Sequence, residues 1–246
     1  MAELNVFGIV EAAEAQNGAP EGTRYVVHGE VAALVSDLEE GPQRAAHALR
    51  THWRVLETAS AETTVLPVRF GTAMADEAAL RDEFLAPSHD DLLRRLVAMR
   101  GNVQLTVKGF YDEQSLMRSV VESSPRIARL QAQVAGMPEA AAYYKRIELG
   151  QMVAGEVERA RARDAGVVLE RLAPLALASR QEASSSLESA VNAAFLVRRD
   201  QVDEFSGAVT ELGHELGERI RLRYVGPLPP FSFTGEDATT EAQAWA

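Results

Sequence analysis

Residues 191–224 read VNAAFLVRRDQVDEFSGAVTELGHELGERIRLRY, and their hydrophobic residues change period twice. From 191 to 197 every second residue is apolar and faces the same way, which is the pattern of a buried strand face. From Val202 to Leu216 the apolar positions are three, four, three and four residues apart, as on one face of an α-helix. From 219 to 224, arginines alternate with apolar or aromatic residues, which is again the pattern of a strand. The segment therefore predicts a strand, a helix and a strand in succession.

The N-terminal half opens with predicted β-structure. Residues 4–10 and 24–38 are rich in valine, leucine, phenylalanine and tyrosine, which predicts one strand and then a pair of strands. After Pro42, apolar residues recur every three or four positions as far as Leu56, which predicts an amphipathic helix. His52 flanks the apolar face of this helix, and we expect it to be solvated or close to a helix cap.

Strands and helices continue to alternate after this helix. Residues 66–70 alternate, and Pro67, which has no N–H to donate, favours an edge position for this strand. The segment 76–99 has helical periodicity, and we expect Pro87 to break it into two helices. Residues 103–111 alternate as far as two aromatic residues, which predicts a strand that closes the first domain.

The length of 246 residues exceeds that of one compact domain, so we expect two. Serine, glycine and proline interrupt the residues after 112, and we place the boundary there. This gives an N-terminal α+β domain over 1–115 and a C-terminal α+β domain over 116–233, which contains a long helix after Pro138. Residues 234–246 are small, polar and acidic and are predicted to form a disordered tail.

The charge balance narrows the classes of partner. The 25 basic and 36 acidic residues give a formal net charge of -11, which repels phosphate backbones and anionic lipid, so we expect no nucleic acid and no membrane partner. Cysteine is absent, which excludes disulfides and is compatible with a reducing cytoplasm. The N-terminus lacks the pattern of a signal peptide, and no apolar run is long enough to cross a bilayer. These features predict a soluble cytoplasmic protein.

Motifs that carry known chemistry do not occur in the sequence. We find no phosphate-binding glycine loop, dinucleotide fingerprint, nucleophile elbow or helical pair of metal-binding histidines. The cluster His89-Asp90-Asp91 is acidic, and we expect it at a helix N-terminus, where the helix dipole favours negative charge. We therefore predict no catalytic residue, no metal and no cofactor, and hence no enzyme.

Three arginines stand at alternate positions near the C-terminus. Arg219, Arg221 and Arg223 would project from one face of the last predicted strand. Two uses of this row remain open: an internal or solvated role, and a site that grips carboxylates of an acidic partner.

Two segments connect the chain to a known family. LPVRFG at 66–71 and GPLPPFSF at 226–233 resemble the signature stretches of the gas vesicle proteins GvpL and GvpF. Between them, residues 101–112 resemble the family's strand that leads to a Tyr-Asp pair, and 192–197 its Asn, Phe-Leu-Val segment. The resemblance extends over 4–233. Some residues differ from the family pattern and blur the choice between GvpL and GvpF; these are Gln104, Leu228 and Phe231.

The resemblance implies a fold and a function. The fold is α+β with two domains: an N-terminal α+β sandwich and a C-terminal modified ferredoxin-like domain. The function is that of an assembly accessory or minor structural protein of the gas vesicle, which contacts the major gas vesicle shell protein and other gas vesicle accessory proteins. It implies a location in the cytoplasm and at the gas vesicle, and no enzymatic activity.

The resemblance also directs attention to aromatic residues near strand ends. The shell protein of such vesicles is small, apolar and prone to self-association, so a partner needs apolar contacts with a selective polar rim. The alternative is that these aromatic residues fill the protein's own cores. The candidate partner-binding residues are the anchors Phe70, Tyr224, Phe231 and Phe233 and the rim Arg69, Arg221 and Arg223.

Two other functions remain open at this point. One is a ferredoxin-like module that binds and senses a small molecule between its layers. The other is an enzyme whose carboxylates and histidines are dispersed along the chain and meet only in the fold.

Overall fold

A computed structural model describes residues 3–38, 45–183, 186 and 188–234. The predicted tail therefore lies outside the described residues, except for Thr234. The N-terminal elements are β1 Leu4–Glu11, β2 Arg24–His28, β3 Val31–Asp37, α1 Ala45–Glu62, β4 Leu66–Pro67, β5 Ala73–Met74, α2 Glu77–Ala79 and α3 Ala86–Met99. The C-terminal elements are β6 Asn102–Tyr111, α4 Glu113–Ser123, α5 Pro125–Ala135, α6 Glu139–Leu172, β7 Ala178–Gln181, β8 Ser189–Arg198, α7 Val202–Leu216 and β9 Ile220–Leu228.

The first sheet is antiparallel and is covered by helices on both faces. Its strands lie in the order β2-β3-β1-β4, and β5 also pairs with β1. On one face, Val6 and Ile9 pack against the turn Leu80–Leu85 and Leu96 of α3. On the other face, β1 and β3 pack against α1. Because both faces are buried, β1 and β3 are almost continuously apolar and do not alternate.

The helical segment 77–99 does not break at Pro87, so that prediction is wrong. A π-helical turn, Leu80–Leu85, joins α2 to α3, and Pro87 is the second residue of α3. Proline is tolerated there because its missing N–H is not needed in the first turn of a helix. His89 therefore lies inside a continuous helical segment and not at a helix N-terminus. Its Nε2 accepts a hydrogen bond from the N–H of Glu30 at 3.2 Å.

The second sheet contains the strand that was predicted to close the first domain. Its order is β7-β8-β6-β9, and β6 pairs antiparallel with both β8 and β9. A boundary at residue 115 would separate β6 from both partners. The pairing of β6 with β8 and β9 has no local signal in the sequence, because alternation predicts a strand but not the strands that pair with it. We propose instead a boundary near Gly101, between α3 and β6.

The C-terminal unit has a ferredoxin-like arrangement with additions. β6, α6, β7, β8, α7 and β9 follow the βαββαβ order, and α4 and α5 are inserted before α6. The inner face of the sheet packs against α6 and α7, with Phe195 and Phe205 at the centre of the core. The α+β class with two sheets, the long helix and the strand–helix–strand segment are confirmed.

Candidate partner-binding surfaces

The seven candidate residues do not form one continuous site. Arg69 and Phe70 lie in the turn between β4 and β5, whereas Arg221, Arg223 and Tyr224 lie on β9. Phe231 and Phe233 belong to a short 3₁₀ turn after β9. From these separate segments, the fold brings Phe70 and Phe231 into contact with a common element, the helix α1.

Helix α1 carries two adjacent aromatic side chains that face different neighbours. The His52 ring lies between Phe7, at 5.2 Å between ring centroids, and Phe70, at 5.5 Å and edge to face. The next residue, Trp53, packs against Phe231 at 4.7 Å. Phe231 is thus one contact by which the C-terminal segment docks on the N-terminal unit.

His52 is buried, contrary to the prediction that it would be solvated or near a cap. Only 2% of its surface is exposed, and neither ring nitrogen makes a hydrogen bond within the described residues. Burial lowers the pKa of His52, and the neighbouring backbone of Val68 offsets part of the shift. Sequence periodicity placed this residue beside the apolar face of α1, but the covering turn at Phe70 is a tertiary feature.

Replacing His52 by phenylalanine is expected to raise the free energy of unfolding at neutral pH by about 1 kcal/mol, because a buried imidazole without a hydrogen bond loses its hydration. The depressed pKa of His52 in the folded state also makes wild-type stability fall as pH drops below about 6.5. Urea unfolding at pH 7.5 and pH 5.5 measures both effects. A variant that is less stable at neutral pH, or equally acid-sensitive, contradicts this account.

The C-terminal segment crosses the outer face of the second sheet. Pro229, Pro230 and Ser232 are buried. The N–H of Ser232 donates to Oε1 of Gln104 at 2.8 Å, and its hydroxyl donates to Glu182. This part of the sheet, which is open in a minimal ferredoxin-like unit, is therefore covered by the chain itself. The proline-rich sequence indicated a stiff segment but did not show which surface it covers.

The arginine row is split by the fold. Arg219 turns to α6, where its guanidinium donates to both carboxylate oxygens of buried Asp164 at 2.7 and 2.8 Å. Tyr111 donates to the same carboxylate at 2.6 Å. Burial and this hydrogen bond raise the pKa of Tyr111. Arg219 precedes β9 in a 3₁₀ turn, so the alternation that predicted one common face does not reach it.

Arg221 and Arg223 remain on the outer face and are exposed. Their strand register pairs them with Phe110 and Lys108, and the guanidinium carbon of Arg223 lies 5.3 Å from the centroid of the Phe110 ring. Tyr224, the residue after Arg223, points to the opposite face. It packs against the second core, and its hydroxyl lies 3.0 Å from that of Ser206. Its position fits a core residue better than a partner anchor.

An open groove of about 990 Å³ lies in the N-terminal unit. Side chains from β1, β2 and α3 line it, including Tyr25, Val27 and Val97. Two of its charged groups are paired with each other, since Arg100 donates to both carboxylate oxygens of Glu11 at 2.8 and 2.9 Å. The groove does not lie between the layers of the ferredoxin-like unit.

Within the described part of the chain, no three histidine, aspartate or glutamate side chains come together as a metal site. None of the helices in the same residues is both long and apolar enough to cross a membrane.

The chain resembles solved and curated proteins over nearly its whole length. The crystal structure of the gas vesicle protein GvpF from Anabaena sp. PCC7120 superimposes with a TM-score of 0.81, covering 96% of this chain and 99% of that one. At 22% sequence identity, this likeness concerns the fold. GvpF from Microcystis aeruginosa superimposes with a TM-score of 0.76 over 96% of this chain and 100% of the other.

Sequence comparison gives a second line of support. Gas vesicle protein F of Streptomyces sp. (strain CB03234) is 34% identical over 214 residues, which are 87% of this chain and 88% of that protein. Gas vesicle protein L of the same strain is 30% identical over 244 residues, or 92% and 87% of the two chains. The family model of gas vesicle synthesis proteins GvpL/GvpF matches residues 4–235. The chain therefore belongs to the GvpL/GvpF family of gas vesicle proteins.

Proposed function

We propose that this gas vesicle protein is an assembly accessory or minor structural component that binds the major shell protein during vesicle formation. The observation that carries the proposal is the family match over 4–235, which includes every candidate partner-binding residue. The same proposal places the protein in the cytoplasm and at the growing vesicle, with other accessory proteins as further partners. It assigns the protein no catalytic activity.

The distribution of aromatic side chains supports binding at a surface. Phe70 and Phe233 are partly buried, and Arg69 beside Phe70 is exposed. A partly exposed aromatic ring next to a charged side chain is the combination found at the centre and rim of protein interfaces. Phe231 and Tyr224 are less suitable anchors, because Phe231 joins the C-terminal segment to Trp53 and Tyr224 packs on the second core. Phe70 also contacts His52, but it lies in a turn beside exposed Arg69. We therefore assign the apolar contact to Phe70 and Phe233.

The two alternatives receive less support. A small-molecule sensor would need a pocket between the layers of the C-terminal unit, whereas the large groove lies in the N-terminal unit and its Glu11 and Arg100 satisfy each other. A dispersed active site would need titratable groups converging in a pocket with shifted pKa values. The raised pKa of Tyr111 belongs to the network with Asp164 and Arg219, which joins β6, α6 and the start of β9.

Co-expression with the major shell protein, followed by affinity capture of this chain, tests the proposed function. We expect the wild type to retain the shell protein, and Phe70→Ser combined with Phe233→Ser to reduce the captured amount about tenfold, as for loss of interface anchors. Tyr144→Ser is the matched control, because it also removes an aromatic ring but from a side chain that is 81% exposed on α6.

Each outcome of this experiment has a separate meaning. Capture of no shell protein by folded wild type overturns the proposed function. Equal capture by the double variant and by Tyr144→Ser rejects Phe70 and Phe233 as anchors. Circular dichroism of each purified variant shows whether lost capture reflects unfolding; a variant that has unfolded is replaced by Phe70→Leu with Phe233→Leu, which removes aromatic contact but keeps apolar volume.

A further inference from the structure

One surface of the C-terminal unit concentrates positive charge in a chain whose net charge is -11. Arg221 and Arg223 lie on the outer face of β9, and the register of β9 with β6 places Lys108 and Phe110 beside them. We call this set, Lys108, Phe110, Arg221 and Arg223, the basic edge. The C-terminal segment covers another part of the same face, near Gln104.

Within the described part of the chain, the charges of the basic edge have no acidic partner. No carboxylate of the described residues forms an ion pair with Lys108, Arg221 or Arg223. Arg219, two residues before Arg221, differs in this respect, because it donates to both carboxylate oxygens of Asp164. Arg223 instead stacks on Phe110, which holds the guanidinium in place and leaves its N–H groups for an acceptor.

The strand that carries the two arginines is the last one of its sheet. Among the described residues, β9 pairs only with β6, so its other edge has no partner strand. On the inner face, Leu222 and Tyr224 are only partly buried although they pack against the core. An added strand would lie beside an edge of β9 that no described strand occupies, with apolar side chains on one face and arginines on the other. Helix α1 also contacts β9.

We propose that the basic edge binds an extended acidic segment of another gas vesicle polypeptide, which adds a strand beside β9. Side chains alternate across a strand, so a segment with carboxylates at every second residue would place them against Arg221 and Arg223. Its intervening apolar residues would extend the core beyond Leu222 and Tyr224. The inference rests on the proposed function only for the source of this segment.

Other anionic partners fit these observations less well. Nucleic acid and anionic membranes present large charged surfaces that would also face the acidic remainder of this chain, which has 36 acidic and 25 basic residues, whereas a single short strand contacts only the basic edge. A strand-like partner matches both the spacing of Arg221 and Arg223 and the edge of β9 that no described strand occupies. The competing explanation is that charges on an edge strand only prevent unwanted pairing, as in many sheet proteins.

Fluorescence anisotropy with labelled synthetic peptides tests the inference on the full chain. The probe is acetyl-Glu-Val-Glu-Phe-Glu-Val-Glu-amide, compared with its lysine counterpart and with a peptide of the same composition in which the glutamates are contiguous. We expect the alternating acidic peptide to bind most tightly and the lysine peptide not to bind. Added salt should weaken binding, because exposed charges are screened.

Backbone methylation of the probe separates strand pairing from simple charge attraction. In an extended peptide the N–H groups of the glutamates point to one edge and those of the apolar residues to the other. Methylating the nitrogens of one set is expected to abolish binding, while methylating the other set leaves it unchanged. Equal binding by both methylated peptides and the parent peptide overturns strand addition.

Charge reversal locates the site. Arg221→Glu combined with Arg223→Glu is expected to weaken binding of the alternating peptide at least about tenfold. Arg118→Glu combined with Arg129→Glu makes the same charge change at exposed positions of α4 and α5 and is expected to keep the wild-type affinity. Equal losses in the two variants mean that net charge alone drives binding, which also overturns the inference.

The peptide and capture experiments together distinguish a failure of this inference from a failure of the proposed function. If the peptide binds at the basic edge but the shell protein is not captured, the acidic segment belongs to another vesicle protein and the proposed function fails alone. If the shell protein is captured but no peptide binds, the basic edge only protects β9. Binding of phosphatidylserine vesicles or duplex DNA in place of the peptide, lost on reversal of Arg221 and Arg223, also contradicts the inference.

Discussion

Replacing Phe195 by alanine is expected to lower the free energy of unfolding by about 3–5 kcal/mol, because a large cavity opens in a core that cannot collapse around it. Phe195 is 0% exposed on β8, between β6 and β7, and its ring lies 5.1 Å from that of Phe205. Three elements, the sheet, α6 and α7, meet at this ring. The loss should therefore be among the largest for any single truncation.

Urea unfolding monitored by circular dichroism measures this effect. Tyr143→Ala is the control, because it truncates an aromatic residue that is 60% exposed on α6 and should change stability by less than about 1 kcal/mol. A loss below about 1 kcal/mol for Phe195→Ala would show that β8 is not held in the core as described.

Replacing Asp164 by alanine is expected to lower the free energy of unfolding by about 2–3 kcal/mol. The carboxylate accepts from Tyr111 and from Arg219, so its removal leaves a buried hydroxyl without an acceptor and a guanidinium without its partner. The side chain of Arg219 is 40% exposed and can regain water, which keeps the loss below that of a fully buried ion pair.

The matched control for this change is an exposed ion pair. Glu215→Ala removes the carboxylate partner of Arg171, where both side chains are about half exposed, and should cost less than about 1 kcal/mol. Adding Tyr111→Phe to Asp164→Ala is expected to recover part of the stability, since it removes the unsatisfied hydroxyl. Two equal, small losses for Asp164→Ala and Glu215→Ala would contradict the structural role of this network.

The sequence predicted only part of the candidate site. Alternation correctly put Arg221 and Arg223 on one strand face, but it extended the row to Arg219, whose side chain turns to Asp164. The resemblance to the family singled out 226–233, and the structure shows Phe231 packing against Trp53. Local sequence patterns do not predict this contact, because Trp53 and Phe231 are far apart in the chain.

Periodicity of hydrophobic residues determined the local elements: the strand over 189–198, the helix over 202–216, the long helix of 34 residues and the α+β class. These follow from the chain alone, since each needs only one apolar face in its own segment. Tertiary structure decided that β6 joins the second sheet, that His52 is covered and that β9, among the described strands, pairs only with β6. Strand pairing and burial depend on distant residues, which no local period encodes.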